Sequence, residues 1–166
     1  MSFAPANKLQ ADLLEYLWRK FDHVPVGRVL SGSGLTEIFN FLQASLGTSS
    51  GLVQTTLGSN DAAQVTDLAL NRKHPIAVKA LDLFVEIYGA YAGNLALAGL
   101  SRGGVYVAGG IAPKIIDKLR EGGFMRAFCS KGGFSAMMSE IPVQVVMNQK
   151  VGLLGAAREA QRMLSV

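Results

Sequence analysis

Apolar residues recur along much of the chain at the spacing of helices that bury one face. The spacing predicts helices over 8–21, 35–44, 61–72, 76–100, 114–121, 125–130 and 152–164. In the first helix, which Asn7 can cap, the stripe includes Trp18, and we expect that side chain in the core. The inward stripe of the longest helix, 76–100, is Ala80, Leu83, Phe84, Ile87, Tyr91, Leu95 and Ala98. The inward stripe of the last helix, 152–164, is Leu153, Leu154, Ala157, Ala160 and Leu164.

Two apolar runs, 105–108 and 142–147, are too short for amphipathic helices. The first is β-branched or aromatic at three of its four positions, which predicts a strand buried on both faces. Because helices separate the two runs, we expect parallel strands joined by a right-handed crossover. The pattern predicts one domain over residues 1–166, with an α/β fold and a short parallel sheet packed by helices.

The second half of the longest helix, residues 88–98, is uncharged and mostly small. Gly89 and Gly93 are four residues apart, so their missing side chains fall on one face. Each glycine costs a helix about 1 kcal/mol relative to alanine. This composition predicts tight packing of that face against a sheet or another helix.

Composition and charge exclude several classes of protein. Apolar residues make up 49% of the chain and charged residues 17%, which argues against disorder, and a scattered net charge of +4 gives no nucleic-acid footprint. The apolar stretch 87–101 is too short to span a membrane. One cysteine, Cys129, and two histidines, His23 and His74, leave no metal-ligand cluster and fit a cytoplasmic protein.

Two glycine turns are candidates for chemistry. Gly109 and Gly110 follow the first strand and precede Pro113, which suits a helix start. The turn at residues 31–34 (Ser-Gly-Ser-Gly) precedes the Leu35 helix. Each turn has two interpretations. It is a loop that faces a phosphate or a substrate, or it is only a structural connection, which for the turn at 31–34 means a cap of the Leu35 helix. No nucleotide-binding Gly-x-Gly-x-x-Gly or phosphate-loop motif is present.

Five segments, in order and at comparable spacing, resemble the bacterial glucokinase family. They are 29–35 (VLSGSGL), 93–97 (GNLAL), 103–113 (GGVYVAGGIAP), 141–143 (IPV) and 152–156 (GLLGA). The resemblance implies the actin/hexokinase-like (ribonuclease H-like) ATPase fold and a cytoplasmic homodimer. It implies transfer of the γ-phosphoryl group of ATP, with Mg²⁺, to the 6-hydroxyl of glucose or a related hexose, the glucokinase step of glycolysis.

The resemblance also implies roles for residues of both turns. Gly109, Gly110 and Ile111 match the family's adenosine-contact motif. The residues that match the neighbourhood of the family's sugar site are Ser31, Gly32, Ser33 and Gly34. Just before residues 28–30, where the family usually holds a sugar-binding glutamate, this chain has Gly27, so we expect a weaker sugar site.

Residues 3–5 resemble the segment just after the family's Glu-Gly-Gly-His motif, so we expect the chain to be a C-terminal portion of the large lobe without the small lobe. The catalytic base would then be missing, and no catalytic or metal-binding residue is assigned. Asn60-Asp61 repeats the letters of the family's catalytic pair at another place in the order, which favours a helix cap. We expect a kinase portion that is inactive alone or, alternatively, a non-catalytic module that dimerises or binds nucleotide or sugar.

Overall fold

The computed structural model describes residues 1–50 and 61–164, and most of these residues are helical. The helices are α1 (Lys8–Trp18), α2 (Val26–Val29), α3 (Gly32–Ser50), α4 (Ala62–Leu70), α5 (Pro75–Ala98), α6 (Ile116–Arg120), α7 (Gly123–Cys129), α8 (Ser135–Ser139) and α9 (Val151–Leu164). Short 3₁₀ turns precede α6 and α8 at Ala112–Ile115 and Gly132–Phe134. The strands are β1 (Val105–Val107) and β2 (Val143–Val145).

The two strands pair in parallel, as the sequence predicts. Val105 lies opposite Val143 and donates its backbone N–H to the Pro142 carbonyl at 2.9 Å. The expected burial of β1 on both faces is wrong, because Val107 is buried whereas Tyr106 is 68% exposed. The fold is therefore helical with a short parallel sheet, and one face of β1 is open.

Helix α5 lies at the centre of the packing. It begins where predicted, because His74 is extended and Pro75 occupies the first helical turn, and it packs against α3, α4 and α7. A Cβ added at Gly89 would lie 2.1 Å from the Phe124 carbonyl oxygen, and one at Gly93 would lie 2.4 Å from that of Phe128. The tight packing predicted from these glycines is confirmed, and the neighbour is a helix, α7.

The core joins side chains from most of the described helices. The largest fully buried ones are Phe39, Phe84, Phe128, Leu13, Leu17, Ile38, Leu42, Leu81, Ile115 and Met138. The prediction that Trp18 lies in this core is wrong, since its side chain is 56% exposed. The buried stripe of α1 is Gln10, Leu13 and Leu17, and a residue directly after Leu17 is turned about 100° away from it.

The predicted inward faces fail at two other places. The last turns of α5 bury Ala92 and Ala96, whereas Leu95 and Ala98 are exposed. Every residue of α9 is exposed, including Leu153 at 71% and Leu164 at 90%, so the apolar stripe predicted to face inward has no cover in the described chain.

Two further predictions concern the ends of helices. The helix predicted to end at residue 44 continues to Ser50, while the Asn60 alternative for the cap of the next helix lies outside the described residues. Asp61 occupies the N-cap position of α4, as the cap interpretation of that dipeptide expects, but its side chain makes no cap hydrogen bond to α4. Within the described ranges, no helix is both long enough and apolar enough to cross a bilayer.

Candidate functional site

A cavity of about 490 Å³ lies where α3, α4 and α5 meet the segment after β1. Residues from both glycine turns line it: Ser31 and Gly32 come from the turn at 31–34, and Gly110 and Ile111 come from the turn after β1. The remaining lining residues are Leu35, Ala62, Ala63, Thr66, Asp67, Leu70, Phe84, Lys114 and Ile115. A larger depression of about 710 Å³ runs along β2 but includes neither turn.

The turn after β1 leaves its backbone accessible. Gly109 has a φ of +119°, a backbone conformation that residues with a Cβ rarely adopt. A Cβ added at Gly109 or Gly110 would meet no atom of the described residues within 4 Å, so the space beside the turn is open in that part of the chain. Pro113 then lies in the 3₁₀ turn that leads into α6, as expected for a residue that suits a helix start.

The Ser31 to Gly34 turn begins α3. The Gly34 backbone N–H donates to Ser31 Oγ at 3.1 Å, so Ser31 caps the helix while it also lines the cavity. A Cβ at Gly34 would lie 2.0 Å from the Val29 carbonyl oxygen, which explains glycine at that position by packing alone. The short helix α2 precedes this turn.

The other residues assigned from the resemblance lie away from the cavity wall. Gly27 is exposed within α2, and Gly27, Ser33, Gly34 and Gly109 are absent from the lining of the cavity. The structure therefore brings together Ser31, Gly32, Gly110 and Ile111 and does not add the sugar-side position Gly27 to them.

Three polar residues of the cavity were not singled out from the sequence: Thr66, Asp67 and Lys114. Thr66 Oγ1 donates to the Ala62 carbonyl at 2.7 Å, so its proton is used inside α4. Ala63, Asp67 and Leu70 are spaced four and three residues apart, and that spacing could have identified a shared face of α4. Nothing in the local sequence indicates that this face meets the turn after β1.

The inner wall of the cavity is apolar. Phe84, Leu35 and Ile115 are buried, and Ile111 is partly buried. A concave apolar wall with a few polar groups at its edge is typical of sites that bind small molecules. Among the described residues, no three His, Cys, Asp or Glu side chains cluster as a metal site. The arrangement suits binding of a flat ligand with a polar edge.

Comparison with known proteins gives one consistent answer. The glucokinase family profile matches residues 1–163. A glucokinase from Synechocystis sp. is 46% identical over 93% of this chain and 48% of its own length, and one from Nostoc sp. (strain PCC 7120) is 40% identical over 97% and 52%. The crystal structure of glucokinase from an Antarctic psychrotroph matches with a TM-score of 0.81 and 32% identity, over 95% of this chain and 47% of that one.

These matches extend along nearly the whole chain, but the chain spans only about half the length of the curated relatives that it matches. The structural match shows that its helices and its short parallel sheet follow the glucokinase fold over that half. The chain belongs to the glucokinase family.

Proposed function

We propose that this chain provides the ATP-binding side of a glucokinase-like sugar kinase. The supporting observation is the cavity that joins two pairs of residues. By the resemblance, Ser31 and Gly32 lie in the neighbourhood of the sugar site, and Gly110 and Ile111 contact adenosine. Its relatives are glucokinases, so ATP with Mg²⁺ as donor and glucose or a related hexose as acceptor are the proposed substrates. The proposal treats residues 1–166 as one domain, the C-terminal part of the large lobe.

The proposed site would hold ATP in one orientation. The adenine base would lie against the apolar lining at Leu70 and Ile111, which is backed by the buried side chains of Leu35, Phe84 and Ile115. The backbone at Gly110 is open to close approach, and the Lys114 ammonium beside it is exposed, so both can contact the phosphates. Bound ATP would supply the γ-phosphoryl group, and these residues would hold the nucleotide and orient it.

The sugar side of the proposed site is weaker. Gly27 provides no carboxylate to recognise a sugar hydroxyl, and an unmade buried polar contact costs about 1 to 3 kcal/mol. Phosphoryl transfer needs donor, acceptor, metal and base aligned together. We propose that the 166 residues bind nucleotide but do not by themselves phosphorylate glucose at an ordinary rate.

A second candidate is a non-catalytic binding or assembly module derived from the kinase fold. Gly27 favours it, as does the presence of one carboxylate, Asp67, among the residues that line the cavity.

Homodimerisation, a cytoplasmic location and a place in glycolysis belong to the leading proposal through the family. Sedimentation equilibrium would test the dimer, for which the leading proposal expects twice the chain mass of 17.6 kDa.

Titration calorimetry with ATP tests the nucleotide site. Wild-type chain should bind ATP saturably at one site, and Gly110→Val should weaken binding at least tenfold by occupying the open space beside the turn. Gly110 is the better target because its φ is not positive, whereas Gly109→Val would also strain the backbone. Gly133→Val is the control, since a Cβ there also meets nothing within 4 Å and lies outside the cavity. Absent ATP binding, or equal binding by all three proteins, would reject the nucleotide site.

An assay that couples glucose 6-phosphate to a dehydrogenase distinguishes the two candidates further. The leading proposal predicts ATP binding without ordinary turnover by this chain. Turnover at the rate of a full-length relative would refute the inactivity claim. A stable dimer that binds neither ATP nor glucose would favour the assembly module.

A further inference from the structure

Two charged side chains lie at the edge of the cavity, Asp67 on α4 and Lys114 in the 3₁₀ turn before α6. The Asp67 side chain is 63% exposed, and Lys114 is also exposed. Lys114 forms no ion pair with the described residues. The inner wall behind them is apolar and buried, with Phe84 only 1% exposed. The cavity therefore changes from apolar at its base to charged at its mouth.

The Asp67 carboxylate has two neighbours with donor groups, Asn71 and Lys73. Asn71, one turn later at the end of α4, donates through Nδ2 to Asp67 Oδ1 at 2.7 Å and to the Asp67 carbonyl oxygen at 3.0 Å. An ionised carboxylate has about four acceptor positions, and this bond uses one of them. Lys73 Nζ lies 3.8 Å from Oδ2, beyond hydrogen-bond distance. Asp67 therefore forms an ion pair with Lys73 and one hydrogen bond with Asn71, and it keeps acceptor capacity on both oxygens.

The polarity of the cavity determines which part of a nucleotide meets this carboxylate. A purine base is flat and largely apolar on its faces, so it would lie against the lining at Leu70 and Ile111, in front of the buried Leu35 and Phe84. The ribose would then lie nearer the mouth, with its hydroxyl groups toward the acceptors of Asp67. In dinucleotide sites of the Rossmann fold, for example, an acidic side chain accepts from a ribose hydroxyl. The exocyclic amine of a base in the buried part would need an acceptor deeper than a side chain that is 63% exposed.

We propose that Asp67 is a specificity-determining residue that accepts hydrogen bonds from the ribose hydroxyl groups of the bound nucleotide. This inference rests on the proposed nucleotide site. It predicts that the chain prefers ATP to 2′-deoxy-ATP and that Asn71, by orienting the carboxylate, contributes to the preference. Removal of the 2′-hydroxyl removes one hydrogen bond to the charged carboxylate of Asp67, which is the basis of the discrimination.

The test measures dissociation constants for ATP and 2′-deoxy-ATP with the wild-type chain, Asp67→Ala and Asn71→Ala. Wild type should bind ATP about tenfold more tightly than 2′-deoxy-ATP. Asp67→Ala should bind both nucleotides about equally and no more tightly than wild type binds 2′-deoxy-ATP, because the variant also loses the bond to the 3′-hydroxyl, and Asn71→Ala should show a reduced preference. Asp12→Ala is the matched control, because Asp12 is a helical aspartate on α1, outside the cavity, and it should keep the tenfold ratio.

Each result has a distinct meaning. Equal binding of ATP and 2′-deoxy-ATP by wild type, or an unchanged ratio in Asp67→Ala with a native circular dichroism spectrum, would overturn the role of Asp67 and leave the nucleotide site standing. A preference for ATP over inosine triphosphate that is lost in Asp67→Ala, without discrimination against 2′-deoxy-ATP, would assign Asp67 to the base and also overturn the inference. Failure of wild type to bind any nucleotide would reject the proposed function itself, and this inference with it.

Discussion

Helices α7 and α9 both carry apolar side chains at helical spacing, and they lie in opposite surroundings. In α7, Phe124 and Phe128 are buried against α5, where Gly89 and Gly93 let the two backbones approach closely. In α9, every residue is exposed. The difference lies in the neighbouring surfaces. The partner of α7 is α5, which has two glycines at the contact, whereas no comparable surface of the described chain lies against α9. An apolar stripe indicates which face a helix can bury, and the matching surface elsewhere determines whether it does.

The largest expected difference between the two helices comes from removing one apolar side chain from each. Phe128→Ala should lower the free energy of unfolding by about 3 to 5 kcal/mol, because Phe128 is fully buried and its loss leaves a cavity. Leu164→Ala, at 90% exposure, should change it by less than about 0.5 kcal/mol. Urea denaturation of the two variants gives both values, and similar costs would show that the comparison is wrong.

Adding a methyl group to a glycine of each helical region sharpens the same contrast. Gly89→Ala should lower the free energy of unfolding by about 2 to 3 kcal/mol, since the new Cβ would lie 2.1 Å from the Phe124 carbonyl oxygen and α7 must move. The matched change Gly155→Ala meets nothing within 4 Å and should raise helicity, with a change in global stability below about 0.5 kcal/mol. A Gly89→Ala variant as stable as wild type would refute the close approach of α5 and α7.

Ion pairs provide the smallest expected effect. Lys118 on α6 is 12% exposed and contacts Asp82 on α5 and Glu121, each at 2.6 Å. Burial alone would lower the pKa of Lys118, but hydrogen bonds to the two carboxylates outweigh it and raise that pKa above its usual value. Lys118→Met should lower the free energy of unfolding by about 1 to 2 kcal/mol, whereas Arg162→Met, which removes the exposed pair with Glu159 on α9, should have no measurable effect.

The pH dependence of the Lys118 effect has a defined sign. The hydrogen bond from Lys118 holds the pKa of Glu121 below its usual value of 4.5, so the contribution of Glu121 is present above that pH and is lost as the pH falls through the folded pKa. The raised pKa of Lys118 means that its contribution is complete below about pH 10 and is lost as the pH rises through the folded pKa. Unfolding at pH 3, 7 and 11 should give the largest wild-type to Lys118→Met difference at pH 7, and a constant difference would contradict these assignments.

The sequence predicted the parts of the fold that depend on local rules. His74-Pro75 begins α5 because proline suits a first helical turn, and Gly89 with Gly93 predicted a close contact because their positions share a face. Burial was predicted less well. Trp18 is exposed because it lies about 100° around α1 from the buried stripe. Leu95 and the α9 stripe are apolar at helical spacing, yet they are exposed, because the covering surface is set by distant parts of the chain.

In the candidate site, too, some residues could be predicted from the sequence and others could not. Gly110 and Ile111 were identified through a motif, and the structure adds that they share a cavity with Ser31 and Gly32. Asp67 and Lys114 could not be identified from the sequence, because an acidic or basic residue on an exposed helical turn is common. They become candidates for binding only when α4 and the segment after β1 are seen to meet.

The measurement that most directly tests the central claim is a titration of the ¹⁵N-labelled chain with ATP, followed by amide chemical shifts. The proposed site predicts saturable shifts at residues that line the cavity, above all Ser31, Gly32, Asp67, Gly110 and Ile111, and none along α9. Shifts concentrated in α9, or no shifts at millimolar ATP, would contradict a nucleotide site between the two glycine turns.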